Sequence, residues 1–328
     1  MSPNTHAPNF IYPTTSPTSS KPNLLFIIVD DFKPLASVFQ PVAMEPITPN
    51  INALIQRSIN FRNAHAQMSM CGPSRVSFLT GLRPDTTNCY GLRPNQLNSR
   101  IVNAARYAHQ TLLTIPKLFK QAGYLTYGIG KVFHENEDIQ MADPSTWTVP
   151  VFSWKTGWVR PPTFSSPYTG TWVSSPNVAD NYFPDGQAAI FANNLIQSLA
   201  AQNQPWAVFL GHWKPHLPFQ APAKYFSMQK SAGAFPGPHS AGVPNGMKTS
   251  DYQMARGIGC LEVAQYQNAP SNLAGWAVPL GTIQTAVQAY YAAVTYVDVQ
   301  IGITLDALAN SSAADNTHIV LLGDHGVR

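Results

Sequence analysis

The sequence predicts an α/β sandwich, a mostly parallel central sheet flanked by helices. Three observations predict it. Short continuous apolar runs such as Leu24-Leu25-Phe26-Ile27-Ile28-Val29 show no alternation, which suits strands buried on both faces. Between such runs lie segments whose apolar residues are spaced by threes and fours, opened by Thr or Thr-Pro and in places closed by Gly. The two kinds of segment alternate, as parallel strands joined by crossover helices require.

Residues 1–20 are rich in Pro, Ser, Thr and Asn without periodicity and read as a disordered tail, ahead of a domain counted from residue 21. The run at 24–29 is the first strand and stops at Asp30-Asp31. Thr48-Pro49 supplies an N-cap and first-turn proline for a helix to about Arg57. Thr114 opens a second helix with Ile115, Leu118 and Phe119, and Gly123 closes it before a strand at 124–129. A helix over 186–202 carries Ile190, Leu195 and Leu199, and Trp206 to Leu210 is another buried strand. A long helix over 282–309 carries Val287, Tyr291, Val294, Val297, Ile301 and Leu305, and the last strand spans 319–322. The Pro-, Gly- and Trp-rich stretches 135–185 and 228–280 are too long for plain connections and are expected to shape a pocket. Trp147, Trp154, Trp158 and Trp172 read there as core or as sugar-stacking platforms.

Composition narrows the function. An apolar share of 44% marks a globular chain, and a net charge of +4 with no Lys/Arg run argues against nucleic-acid binding. Three cysteines cannot make a disulfide scaffold, so Cys89 and Cys260 read as buried thiols or a single bridge. No stretch reads as the ~18–20 apolar residues needed to span a bilayer, and the N-terminus has no secretory pattern. Localisation stays open, and the sequon Asn310-Ser311-Ser312 adds little to it.

Polar residues gather where strands end, the place where open α/β sheets bind ligands. Asp30 and Asp31 follow the first strand, Lys131 and His134 the second, and His212, Lys214 and His216 the third. Asp324 and His325 follow the last. Adjacent buried carboxylates need a cation or hydrogen bonds, and oxygen-dominated ligation suits Ca²⁺, or less well Mg²⁺, better than zinc. Each group also has a plain structural reading as a turn, cap or exposed loop. The segment Cys71-Gly72-Pro73-Ser74-Arg75 with Leu79-Thr80-Gly81 is the most specific part, because packing alone explains its fixed positions poorly.

That segment resembles the signature of type I, formylglycine-dependent sulfatases. Val29-Asp30-Asp31, Gly130 to His134, His212 to Phe219, Tyr296-Val297-Asp298 and Asp324-His325-Gly326 extend the resemblance toward its iduronate 2-sulfatase branch. The resemblance implies an alkaline-phosphatase-like fold and hydrolysis of a sulfate ester on a sugar or uronic acid, as in glycosaminoglycan degradation. A formylglycine-generating enzyme would act on Cys71. Asp30, Asp31, Asp324, His325 and the modified Cys71 would hold Ca²⁺, with Asp31 or a neighbour taking the nucleophile's proton and Arg75 fixing the hydrate. Lys131 and His216 would bind the sulfate and ester oxygens, one of them, His216 before Lys131, donating the leaving-group proton, with Lys214 nearby. His134 would deprotonate the second hydroxyl and so regenerate the aldehyde, while His212 receives no role.

Relatives of this branch continue past Asp-His-Gly with a further lysine and a C-terminal subdomain. A sequence ending at Arg328 is therefore expected to hold the N-terminal part of the catalytic domain and to leave apolar surface and a strand edge exposed. Phosphoester or phosphonate hydrolysis on the same scaffold, and glycan binding without cleavage, stand as alternatives. Relatives that are lysosomal, secreted or periplasmic leave the compartment undecided.

Overall fold

The computed structural model describes residues 21–33, 45–87, 89–90, 113–134, 145–149, 171–235 and 279–326. The expected tail, most of both long excursions, Trp154, Trp158 and Cys260 lie outside the described residues. In chain order the elements are β1 (Asn23–Val29), α1 (Pro49–Gln56), α2 (Cys71–Thr80), α3 (Pro84–Thr87), α4 (Ile115–Gln121) and β2 (Leu125–Gly130). Then come β3 (Val173–Ser174), α5 (Pro184–Ala200), β4 (Trp206–His212), β5 (Phe219–Gln220), α6 (Ala223–Met228), α7 (Leu280–Ala309) and β6 (Thr317–Gly323).

The main sheet has the order β2-β4-β1-β6, and every described pair is parallel. The first strand in sequence therefore lies inside the sheet, and every residue of β1 and of β4 is buried. Alternate residues serve opposite faces. Leu25, Ile27 and Val29 pack with α1, α5 and α7 through Ile51, Leu54, Ile196 and Ile301. Leu24, Phe26 and Ile28 pack on the other face with Phe78 of α2 and Phe119 of α4. Trp147, 2% exposed, joins this second core with its ring 5.8 Å from that of Phe209, so it is a core residue. Trp172 packs against a third cluster around Tyr290. At the edge of the described sheet, β6 leaves His318 and Val320 exposed.

Three sequence expectations need correction. Ile190 does not face the core: it is 44% exposed, and Ala188, Ala189, Ala192 and Ile196 make the buried stripe of α5 instead. Thr48 precedes α1 but makes no side-chain cap. That task falls to Asp298 of α7, which accepts from the amides of Asn50 at 3.2 Å and Ile51 at 2.8 Å and from Asn50 Nδ2 at 2.9 Å. Finally, α7 is long and apolar enough to cross a membrane by length and composition, which the sequence reading overlooked. It packs against α1, α5 and α6, and 78% of its most apolar window is buried inside the fold, so it is apolar on most sides because it is surrounded.

Tyr296, two residues before Asp298, is likewise structural. Its hydroxyl donates to Asp180 O and accepts from the Gly186 amide, both at 2.8 Å. Replacing Asp298 by Ala orphans the first amides of α1. The expected cost is about 2–3 kcal/mol, seen as a lower urea midpoint with an unchanged m-value.

Candidate active site

Strand register brings the polar residues to one rim. Val29 lies beside His212 and Gly323, and Gly130 lies beside Gly211. The next residues along each strand, Asp30, Trp213, Asp324 and Lys131, leave the sheet together. The amides of Asp30 and Asp324 donate to His212 O and Val29 O at 3.2 Å each, and the Lys131 amide to Gly211 O at 2.8 Å. Here β2 and β4 touch backbone to backbone. A Cβ on Gly211 would sit 1.9 Å from Lys131 O, and Gly130, with φ of +68°, has no room for one either.

Helix α2 enters this rim with Cys71 at its first turn and ends on the left-handed Gly81. Arg75, one turn after Cys71, is fully buried. Its Nε donates to Asp324 Oδ2 at 3.0 Å and its Nη2 to Asp30 Oδ1 at 3.2 Å. Nη1 donates to Val132 O at 3.0 Å and to Lys131 O. The sequence reading aimed Arg75 at the Cys71 derivative; these bonds tie it to the carboxylates and to β2. Burial opposes its charge, but Asp324 and Asp30 hold the guanidinium more firmly protonated than usual.

The Lys131 ammonium bonds the other Asp30 oxygen. Burial raises the Asp30 carboxyl, yet Lys131 first, then His216 and Arg75, outweigh it and keep it well below the usual range. Asp324 is pushed up to about 6, by burial first and then by the Asp30 charge. Asp30 is thus the settled anion of the two.

Asp31 adopts a left-handed φ of +56°, which Asp tolerates better than most residues. Its amide donates to Asp324 Oδ1 at 3.0 Å, and its carbonyl accepts from the Tyr290 hydroxyl at 2.7 Å. The same hydroxyl accepts from the Lys33 amide at 3.0 Å, so Tyr290 of α7 clamps the turn.

One donor atom each from Asp30, Asp31, Cys71 and His325 lies within 4.8 Å of the others. His325 Nε2 is 3.0 Å from Cys71 Sγ and 3.2 Å from Asp31 Oδ1. Its Nδ1 is 3.1 Å from Gly326 O, an oxygen that can only accept, so Nδ1 carries a proton. In the neutral ring this turns a lone pair on Nε2 toward the Asp31 carboxylate, acceptor against acceptor, which a cation between them reconciles. Ligands about 2.3–2.6 Å from a Ca²⁺ ion lie up to ~5 Å apart across it, which matches the spread of this group. Asp324, the fifth residue expected here, adjoins it with Oδ2 3.9 Å from His325 Nε2, and its Oδ1 also accepts from the His325 amide at 2.9 Å. Burial, then the Asp30 charge, pushes the Cys71 thiol well above its ordinary value, so unmodified Cys71 is a poor nucleophile without a cation.

Of the other expected residues, His134 is half-buried, and burial followed by the Lys131 charge keeps its ring neutral far below the usual range. His216 is buried, with Nδ1 2.6 Å from Leu217 O, and burial plus Lys131 lowers it to about 3. Lys214 is lowered by burial to about 8; its ammonium donates to His216 O at 3.0 Å and Pro218 O at 2.5 Å, bracing its own loop. His212 is buried, with Nδ1 3.3 Å from Asp185 Oδ1 but without hydrogen-bond geometry at either ring nitrogen.

Residues 22–328 match the family model described as Sulfatase. The chain belongs to the sulfatase family. It is 34% identical to a sulfatase of Formosa agariphila over 94% of this chain and 59% of that protein. It is 31% identical to human iduronate 2-sulfatase over 94% of this chain and 55% of the human protein. The chain therefore spans little more than half the length of these relatives. Its fold is alkaline-phosphatase-like. A phosphonate monoester hydrolase from Silicibacter pomeroyi superposes with a TM-score of 0.66 at 22% identity, covering 93% of this chain and 63% of that one. A putative sulfatase from Bacteroides fragilis gives 0.60 at 18% identity, covering 96% and 64%.

In this chain, sequence reasoning missed three residues beside the site. Tyr290 reads as one more apolar position of α7. Asp185, beside Pro184, looks like an ordinary acid in a first helical turn, yet it accepts from the amides of Trp213 at 2.5 Å and Lys214 at 3.3 Å. Trp213 passes for a core aromatic. Their partners lie far away in the chain, and no local pattern announces them. Removing the guanidinium by Arg75→Met leaves Asp30 and Asp324 facing each other. The expected loss is about 3–5 kcal/mol of stability in chemical denaturation, with little rescue by Arg75→Lys because an ammonium lacks the fork.

Proposed function

We propose that the protein hydrolyses sulfate esters of a sugar or uronic acid, with Cys71 converted to formylglycine. The carrying observation is the meeting of Asp30, Asp31 and His325 donor atoms with Cys71 Sγ, all within 4.8 Å, at the head of the C-x-P-S-R helix. In this reading Cys71 Sγ stands where a hydrate oxygen of formylglycine would be. Asp30, Asp31, His325 and that oxygen would hold Ca²⁺, with Asp324 joining or supporting them. When bound, the cation would stabilise an ionised oxygen and polarise the sulfate.

The remaining work falls to the chain's own side chains. The Lys131 ammonium, anchored on Asp30, receives a sulfate oxygen. His134, held neutral, is ready to take a proton from the second hydroxyl at position 71. His216 carries its proton on Nδ1 against Leu217 O and is also neutral, so it must gain a proton before it can donate one to a leaving alcohol. An anionic sulfate beside the ring favours that gain, whereas Lys131 opposes it. The active sulfate-bound state thus needs a His216 more basic than the substrate-free one. The sulfate-ester substrates of relatives and the formylglycine-generating enzyme enter as parts of this proposal.

Mass spectrometry of the peptide containing Cys71, after coexpression with a formylglycine-generating enzyme, tests the reading directly. The expected product has the –CH₂SH side chain replaced by –CHO. A thiol that persists in a competent host favours a glycan-binding protein without turnover. Faster turnover of an aryl phosphonate than of an aryl sulfate would move the assignment to phosphorus chemistry on the same scaffold. Substituting Cys71→Ala is expected to lower kcat by about 10⁴-fold or more. Chelation by EGTA should abolish turnover, with Ca²⁺ restoring more than Mg²⁺. In NMR titrations, inorganic sulfate should raise the pKa of His216 above its substrate-free value of about 3.

A further inference from the structure

Trp213 follows β4 directly and is 8% exposed, and the chemistry above gives it no role. The Lys131 ammonium lies over its indole ring, 4.3 Å from the centroid, while bonding Asp30. The ring of His216 stands 5.4 Å away. The indole is anchored at two points. Its backbone amide donates to Asp185 Oδ1 at 2.5 Å, and its Nε1 donates to Leu217 O at 3.4 Å, the carbonyl that also meets His216 Nδ1 at 2.6 Å. One side chain is thus in register with both groups assigned to the sulfate.

We infer that Trp213 is a positioning residue for anion binding, holding the Lys131 ammonium against its indole face so that it meets a sulfate oxygen in a fixed place. The inference rests on the reading of Lys131 as a sulfate-binding group. A lysine stem is flexible, and its ammonium is strongly hydrated when exposed. A second carboxylate could restrain it but would repel the incoming anion. An aromatic face attracts the cation through its quadrupole without adding a formal negative charge. It also displaces water from one side of the ammonium, which strengthens the attraction to an anion on another. The tie from Asp185 fixes Trp213 through a carboxylate outside the metal-donor group, while the ammonium itself still bonds Asp30 of that group.

The test uses the full chain, matured at Cys71 and loaded with Ca²⁺, with inorganic sulfate as the probe in calorimetry and an aryl sulfate in kinetics. Trp213→Phe keeps an aromatic face and is expected to bind sulfate within about 3-fold of the native protein. Trp213→Leu removes the face and is expected to weaken sulfate binding and raise KM by about 5–30-fold, the equivalent of about 1–2 kcal/mol, with Ca²⁺ affinity unchanged. Should Trp213→Leu fold poorly, NMR of the native protein provides the second reading. The Lys131 ε-methylene protons are expected upfield, as protons over an indole must be. Trp213→Leu and native proteins binding sulfate equally, while Lys131→Gln loses it, would overturn the role of Trp213 and leave that of Lys131 intact. Sulfate binding unchanged in Lys131→Gln would overturn both. Lys131 ε-protons at unshifted positions in the native protein would overturn the contact itself.

Discussion

The site depends on one buried guanidinium. Arg75 reaches from α2 to the acids that follow β1 and β6 and to the two carbonyls that follow β2. Without it, Asp30 and Asp324 would be two carboxyl groups buried side by side, and at least one would have to be protonated. With it, Asp30 keeps its charge in a place from which water is excluded. That charge in turn holds Lys131. Positive and negative groups therefore alternate across the rim, and each is buried only because its neighbour is.

This alternation would let one small volume serve the proposed cation and the proposed sulfate together. The carboxylates of Asp30 and Asp31 face the Cys71 side with His325, while Lys131, His216 and Trp213 mark the side assigned to the sulfate. Asp30 belongs to both, since one oxygen meets Arg75 and the other meets Lys131. A change at Asp30 would disturb both sides at once. Changes at Tyr290 or Asp185 act at a distance, because those residues hold backbone rather than ligand.

Much of this was legible in the sequence where the signal is local. An unbroken apolar run ending in Asp-Asp, and a Cys-x-Pro-Ser-Arg frame, both announce themselves within a few residues, and the strands lie where the apolar runs imply. What was not legible is partnership across long separations. Thr48 looks like a cap, but Asp298, some 250 residues away, does the capping. Ile190 looks like a core residue on spacing alone, but the small side chains of α5 let that helix approach the sheet on a different face. In each case tertiary packing, which no window of sequence contains, decided the outcome.

The interior position of β1 has a consequence for biosynthesis. Its neighbours β4 and β6 begin at Trp206 and Thr317, so β1 must wait until synthesis has passed Thr317 before both its edges are satisfied. At ordinary translation speeds that interval is on the order of tens of seconds. During it, at least one edge of Leu-Leu-Phe-Ile-Ile-Val stays open, an apolar ribbon of the kind that invites aggregation. That edge closes only when β6 is in place.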